Sequence, residues 1–282
     1  MPHYEDYFDG HDGRRLYQQC WLPETEPTAV VVVVHGVKEH GGRYARLAGE
    51  LNHQGYAVYA ADLRGHGKSA GPRVRIRRFD EYLADLEVFL RLVRTREPGK
   101  PVFLLGHSMG GAIVAHLAIT REPEVRGIVL SAPPILVGSG VSPLLRRLAP
   151  FFSMVLPYLR FVRFGHQYLS RDEQVLAKYR DDPLVFHRRF PIRTGAEILR
   201  VGNEILRGAG SLRLPLLILH GTGDVVTDVE GSRRLCRQAA SRDKTLHVYE
   251  GLYHEVLSEP ERERVLADVI EWLRTRRSRS QE

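Results

Sequence analysis

The hexapeptide Gly106-His107-Ser108-Met109-Gly110-Gly111 sets a serine among glycines, directly after the apolar run Val102 to Leu105 and directly before a helical pattern. A strand-turn-helix setting of this kind lifts a serine hydroxyl clear at the end of a sheet, where it can act as a nucleophile. The turn is tight enough that a side chain at Gly106 or Gly110 would collide with neighbouring backbone. A glycine-rich turn with an incidental serine is common in isolation. The flanking strand and helix are what favour a nucleophile.

A serine hydroxyl attacks poorly at neutral pH unless a base is in reach and a third group orients that base. On such a scaffold the acid and the base follow the serine in chain order. The acid belongs just past a late strand. Leu216 to Leu219 runs into His220-Gly221-Thr222-Gly223-Asp224, which makes Asp224 the candidate; nearby Asp228 sits where a helix N-cap is expected. The base belongs past the last strand, and Thr245 to Tyr249 leads into Glu250-Gly251-Leu252-Tyr253-His254. Of the 13 histidines, only His254 lies in that loop. A tetrahedral intermediate also needs two fixed donors for its oxyanion. Met109 offers one backbone N–H. The loop His35-Gly36-Val37-Lys38-Glu39-His40-Gly41-Gly42-Arg43-Tyr44 offers the other at Val37.

The rest of the chain must position these residues. Alternating segments His3 to Phe8 and Arg14 to Trp21, joined at His11-Asp12-Gly13, read as a β-hairpin. The β-branched run Ala29 to Val34 suits a strand buried on both faces. Strands and helices then alternate: helix Arg43 to Gln54, strand Tyr56 to Ala61, helix Phe79 to Thr95, strand Val102 to Leu105, helix Met109 to Thr120 and strand Gly127 to Ser131. The rhythm stops between about Leu136 and Gly210. It resumes with strand Leu216 to Leu219, a helix from Val229 to Ala239, strand Thr245 to Tyr249 and a helix from Glu261 to Arg274, after which an Arg/Ser tail reads as frayed. This is the pattern of an α/β fold with a doubly wound, mostly parallel sheet. It predicts a core formed by 1–135 and 211–282 and an inserted, mainly helical cap at 136–210.

With 43% hydrophobic and 27% charged residues over 282 positions, the chain has the make-up of a soluble globular protein, not of a disordered or fibrous one. The longest apolar stretch lies between Arg147 and Arg160. It is broken by Pro150 and Pro157 and is shorter than the roughly 20 residues of a spanning helix. The first residues lack the basic start and apolar core of a signal peptide. Cys20 and Cys236 have neither metal-type nor redox-type spacing, which fits a reduced cytoplasm. Of the net charge of +7, nearly all arises in 137–210, where twelve basic side chains face six acidic ones. No nucleic-acid motif accompanies that excess, so no nucleic-acid partner is expected. Histidines and carboxylates do not cluster as a ligand set, so neither a metal nor another cofactor is expected.

Taken together, His35 to Tyr44, Asp62-Leu63-Arg64-Gly65-His66-Gly67-Lys68-Ser69, Gly106 to Gly111, His220 to Asp224 and Tyr249 to His254 resemble the monoacylglycerol lipase and lysophospholipase group of the α/β-hydrolases. The His-Gly-x-x-Glu-His-x-Gly-Arg-Tyr stretch is the most specific part, and the resemblance is weakest in the cap. It implies a serine hydrolase acting on single-chain acyl esters, with Ser108, Asp224 and His254 as nucleophile, acid and base. Val37 and Met109 would form the oxyanion hole. Through Tyr179-Arg180-Asp181-Asp182-Pro183-Leu184 in the cap, it also implies a glycerol-head pocket built from Glu39, Arg43 and Tyr179. Glu39 and Arg43, four apart across a helix start, could equally pair with each other. The glycines of Asp62 to Ser69 suit a tight turn. His107 suits packing and hydrogen bonding beneath the site, and the cap aromatics Phe151, Phe152, Tyr158, Phe161 and Phe164 suit a cap core. The chain departs from the pattern at Thr227, where mammalian relatives carry a cysteine.

Ser108, in place of an aspartate, disfavours dehalogenase and epoxide-hydrolase chemistry. The intact set of three disfavours a catalytically silent interaction module. Lysophospholipid hydrolysis, short-chain ester hydrolysis and acyl transfer to an alcohol remain alternatives on the same scaffold. The segment Val141 to Arg171 combines bulky apolar residues with Arg146, Arg147, Arg160 and Arg163 and has no acid. Such a segment is suited to transient contact with a membrane surface.

Overall fold

A computed structural model describes residues 2–137, 151–162 and 165–278. The main sheet has eight strands: β1 (His3–Asp9), β2 (Arg15–Trp21), β3 (Ala29–Val34), β4 (Tyr56–Ala61), β5 (Val102–His107), β6 (Gly127–Ser131), β9 (Leu216–Gly221) and β10 (Lys244–Tyr249). Their order is β1-β2-β4-β3-β5-β6-β9-β10. β1 and β2 form the antiparallel hairpin, and β2 meets β4 antiparallel. The other pairings are parallel. Every residue of β3 is buried, as its unbroken run of apolar residues requires.

Helices cover both faces: α1 (Ala45–His53), α2 (Asp80–Arg96), α3 (Met109–Thr120), α5 (Ile192–Gly208), α6 (Val229–Gln238) and α7 (Arg262–Arg277). One apolar cluster joins Val30, Val32 and Val34 to Phe79, Phe89, Ile113 and Val201. The alternate side chains Val31 and Val33 point the other way, toward Leu51, Phe103, Val265 and Trp272. The period-two alternation of the strand thus feeds two separate cores.

Three expectations are corrected. The chain enters α1 through a 3₁₀ turn, Gly41–Tyr44, whose start His40 caps by accepting from the Gly42 N–H, so the α-helix begins at Ala45 and not at Arg43. Two successive glycines are poor helix formers. At the other end, Arg274, Arg276 and Arg277 are not frayed but continue α7 to Arg277. Arg276 reaches Asp243, and Arg274 reaches Glu271 at 2.9 Å, while their charges complement the negative helix end. Between β6 and β9 the described residues hold α4 (Glu173–Asp181) and α5, and beside them a short antiparallel pair, strands β7 (Arg160–Val162) and β8 (Phe190–Pro191). Neither strand is long enough to leave a periodic signal. The cap aromatics do not form one core: Phe151, Phe152 and Tyr158 are exposed. Phe164 lies outside the described residues. Among those residues no helix is long and apolar enough to cross a membrane.

Candidate active site

β5 delivers Ser108 to a sharp turn before α3. Its backbone sits at φ 52°, ψ −123°, a conformation that costs a non-glycine residue about 1–3 kcal/mol and persists where the surroundings over-determine it. They do so here. A Cβ at Gly106 would lie 2.4 Å from the Gly110 carbonyl oxygen, and one at Gly110 would lie 2.0 Å from that of Val34. The Ser108 N–H donates to the Ser131 carbonyl at 2.9 Å, which ties the turn to β6.

The loops after β9 and β10 bring the other two candidates to the same point. Ser108 Oγ lies 2.9 Å from His254 Nε2, and His254 Nδ1 lies 2.7 Å from Asp224 Oδ2. Asp228 caps α6 by accepting from the Glu230 N–H, the role its position suggested. Burial pulls the His254 imidazole down, but Asp224, Glu255 and Glu39 outweigh it and hold the ring above its ordinary value. Burial opposes ionisation of Asp224, yet the facing His254 and the hydrogen bonds from both neighbouring histidines keep it well below the carboxylate range. His107 donates to or accepts from Ser131 Oγ at 3.2 Å, and its ring centroid lies 4.9 Å from that of His254. Burial, with the His254 charge nearby, brings His107 down to about 4, so it stays neutral beside His254.

Ser108 and His254 open onto a cavity of about 320 Å³. Val37 and Met109 line it beside the serine, while Pro134, Leu169, Phe190, Ile198 and Leu199 supply apolar wall. Glu39, Arg43, Tyr179 and Glu255 border both this cavity and a more polar neighbour. They form one cluster. Arg43 pairs with Glu39 and donates twice to Glu255, each time at 2.8 Å. Glu39 also accepts from the Gly36 N–H at 2.5 Å and from Tyr44 at 2.9 Å. The Arg43 guanidinium stands 4.9 Å from the centre of the Tyr179 ring. The pairing of Glu39 with Arg43 that the sequence allowed is therefore present.

The sequence reading missed Glu255 and Glu259. Glu255 stands next to His254, but its partner Arg43 is more than two hundred positions away. Glu259, fully buried, accepts from the Tyr253 N–H at 3.0 Å and from Arg171 Nε at 2.8 Å, so it fastens the loop of His254 to the chain before α4. Only the short spacing from His254 could have drawn attention to either. The Asp62 to Ser69 segment is a tight turn, as its glycines suggested: Asp62 accepts from the Gly41 and Lys68 N–H groups, each at 2.8 Å. His11, Asp12 and Asp85 also converge, but around the buried Arg64 guanidinium, which bonds Asp85 at 2.6 Å. A bound protein cation already balances those carboxylates.

A serine raised on a strained turn at the end of a parallel sheet, within reach of a histidine that an ionised aspartate orients, defines a serine hydrolase of the α/β-hydrolase fold. The chain belongs to the family described as serine aminopeptidase, S33, whose model matches residues 25–261. It is 39% identical over 269 residues to the monoacylglycerol lipase of Mycolicibacterium smegmatis, covering 95% of this chain and 96% of that one. To the monoglyceride lipase of Rattus norvegicus it is 36% identical over 265 residues, covering 93% and 88%. The crystal structure of a Paleococcus ferrophilus monoacylglycerol lipase is similar with a TM-score of 0.84 and 32% identity, covering 93% of this chain and 99% of that one.

Proposed function

We propose that this chain hydrolyses monoacylglycerols, and single-chain acyl esters like them, to alcohol and fatty acid through an acyl-enzyme. The observation that carries the reading is the hydrogen-bonded series Ser108–His254–Asp224 at the edge of a cavity with an apolar wall and one charged border. An acyl chain suits that wall, and glycerol hydroxyls suit Arg43 and the Tyr179 hydroxyl at the border. The relatives' names support this reading over peptide cleavage.

In the proposed reaction His254 Nε2 takes the Ser108 proton as Oγ attacks the ester carbonyl. The backbone N–H groups of Val37 and Met109 receive the oxyanion. His254 then returns the proton to the departing glycerol oxygen. A water molecule, deprotonated by the same nitrogen, attacks the acyl-Ser108 carbonyl; as the acyl–Oγ bond breaks and the fatty acid leaves, His254 returns that proton to Ser108 Oγ. Asp224 holds the imidazole and stabilises its charged form without taking the proton itself. No step calls for a cofactor.

We assign 136–210 as a cap over this cavity. We place the protein in the cytoplasm, where its cap meets membrane surfaces in passing. Phe151, Met154 and Val155 are 62%, 78% and 60% exposed, and the exposed Arg160 follows them. Apolar side chains beside arginine suit the headgroup boundary of an anionic bilayer. Arg146, Arg147 and Arg163 lie outside the described residues.

A substrate panel tests the proposal: mono-, di- and triacylglycerols, lysophospholipid and p-nitrophenyl esters of rising chain length. Monoacylglycerol should be turned over fastest among the natural lipids. A chain that prefers lysophospholipid, or that cleaves only peptides, overturns the assignment.

A further inference from the structure

The carboxylate of Asp224 is more heavily engaged than orienting one histidine requires. Oδ1 accepts from the N–H groups of Val226 and Thr227 at 2.7 and 3.0 Å, which fixes it within its own loop. Oδ2 accepts from His254 Nδ1 and, at 2.6 Å, from the Thr227 hydroxyl. Behind Thr227 stands a second histidine. His220 Nε2 lies 3.3 Å from Thr227 Oγ1 and 3.3 Å from Asp224 Oδ2, and its Nδ1 lies 2.7 Å from Ser232 Oγ on α6. His220, Ser232 and Thr227 are all buried.

Thr227 Oγ1 also lies 3.3 Å from the Ala132 carbonyl and His220 Nε2 3.4 Å from that of Thr227, so the shorter contacts guide the proton arrangement for a neutral His220 ring. An imidazole lone pair turned toward Oδ2 would face a carboxylate, so His220 carries its proton on Nε2 and accepts from the Ser232 hydroxyl at Nδ1. Nε2–H then points at Thr227 Oγ1 and Asp224 Oδ2, which leaves the Thr227 proton for Oδ2. Ser232, His220 and Thr227 form a single donor chain ending on the oxygen that holds His254. Each link in such a chain polarises the next.

We propose that Thr227, His220 and Ser232 are positioning residues that draw charge density from Asp224 Oδ2 and so lower the pH at which His254 becomes a free base. The physical basis is competition for one oxygen. A hydroxyl donor on Oδ2 stabilises the carboxylate whether or not His254 is charged, and it reduces the negative potential left to favour the imidazolium. The other groups facing His254 are Glu255 and Glu39, which favour its charged form, and neutral His107. None of these bonds to the Thr227 chain. The inference rests on the hydrolase reading for its consequence, namely activity reaching further toward acid pH.

Thr227→Val keeps the shape and removes the proton. Oδ2 then carries more charge toward His254, the imidazolium is favoured, and the ring loses its proton at higher pH. The acid limb of the kcat/KM profile should move up by about half a pH unit to one unit, with the alkaline plateau within about twofold of the parent. Thr227→Ser should restore the parent profile. Ser232→Ala, which frees His220 to change tautomer, should shift the limb in the same direction by less. NMR titration of the His254 ring reads the same shift without turnover, so it tests the inference even if the ester panel fails. An unmoved His254 titration in Thr227→Val and Ser232→Ala, or a shift to lower pH, overturns the proposal. A lowered plateau with an unmoved acid limb also overturns it, because it would make the chain structural only.

Discussion

Replacing Arg43 by methionine removes the cation between Glu39 and Glu255. Their side chains are only 4% and 7% exposed, and Arg43 itself is 14% exposed. Breaking a buried ion pair from one side typically costs about 3–5 kcal/mol, because the partner is left charged and dry. At roughly 2 °C per kcal/mol for a chain of this size, that is a fall in Tm of roughly 6–10 °C. The loss should depend on pH. In the parent protein burial opposes ionisation of Glu39, but Arg43 and the hydrogen bonds from Gly36 and Tyr44 hold it below its ordinary value. Its stabilisation is therefore present at neutral pH and lost as pH falls through that lowered value. Without Arg43, burial is opposed by little more than the hydrogen bonds from Gly36 and Tyr44, and Glu39 should titrate above its unfolded value. Its contribution is then full at low pH and lost as pH rises. The gap between variant and parent should be widest near pH 7 and narrow toward pH 5. Thermal unfolding at both pH values, followed by circular dichroism, reads it directly. A change in Tm under about 2 °C at pH 7, or a gap that widens on acidification, would refute the argument.

Because Glu39 and Arg43 hold the site together, replacing either would impair every substrate. Tyr179→Phe is the cleaner test of glycerol recognition: turnover of monoacylglycerol should fall about tenfold while a short p-nitrophenyl ester changes less than twofold, and equal losses would assign Tyr179 to structure. Gly110→Ala should abolish soluble expression or activity, since its Cβ would fall 2.0 Å from the Val34 carbonyl oxygen; a stable, active variant would show that the elbow is looser than described. Phe151→Ser with Met154→Ser and Val155→Ser should weaken binding to anionic vesicles and leave hydrolysis of a soluble short ester intact. Unchanged vesicle binding would remove this segment as the membrane contact.

Much of the fold was legible because its signals are local. Ala29 to Val34 can hardly be anything but a buried strand, and the residues from Met109 to Thr120 alternate with neighbours that demand a helix. The positions of Ser108, Asp224 and His254 were legible for another reason: each follows its own strand, and chain order on a parallel sheet brings strand ends together. What escaped is held by partners distant in sequence. Glu255 gains its meaning from Arg43 and Glu259 from Arg171. Thr227 differs: its partner Asp224 is only three positions away, but no periodicity encodes their hydroxyl–carboxylate bond of 2.6 Å. The β7–β8 pair is too short to alternate visibly, and α7 runs on past Leu273 because ion pairs stabilise it where propensity alone would let it fray.

The central claim is that Ser108 carries the acyl group. Rapid acid quenching of the protein with a slowly turned-over p-nitrophenyl ester, followed by peptide mass spectrometry, tests it directly. The account predicts one acyl adduct on the peptide containing Ser108, and its loss in Ser108→Ala together with a fall in turnover of about 10⁵-fold or more. An adduct on another residue, or a Ser108→Ala variant that keeps parental turnover, would contradict it.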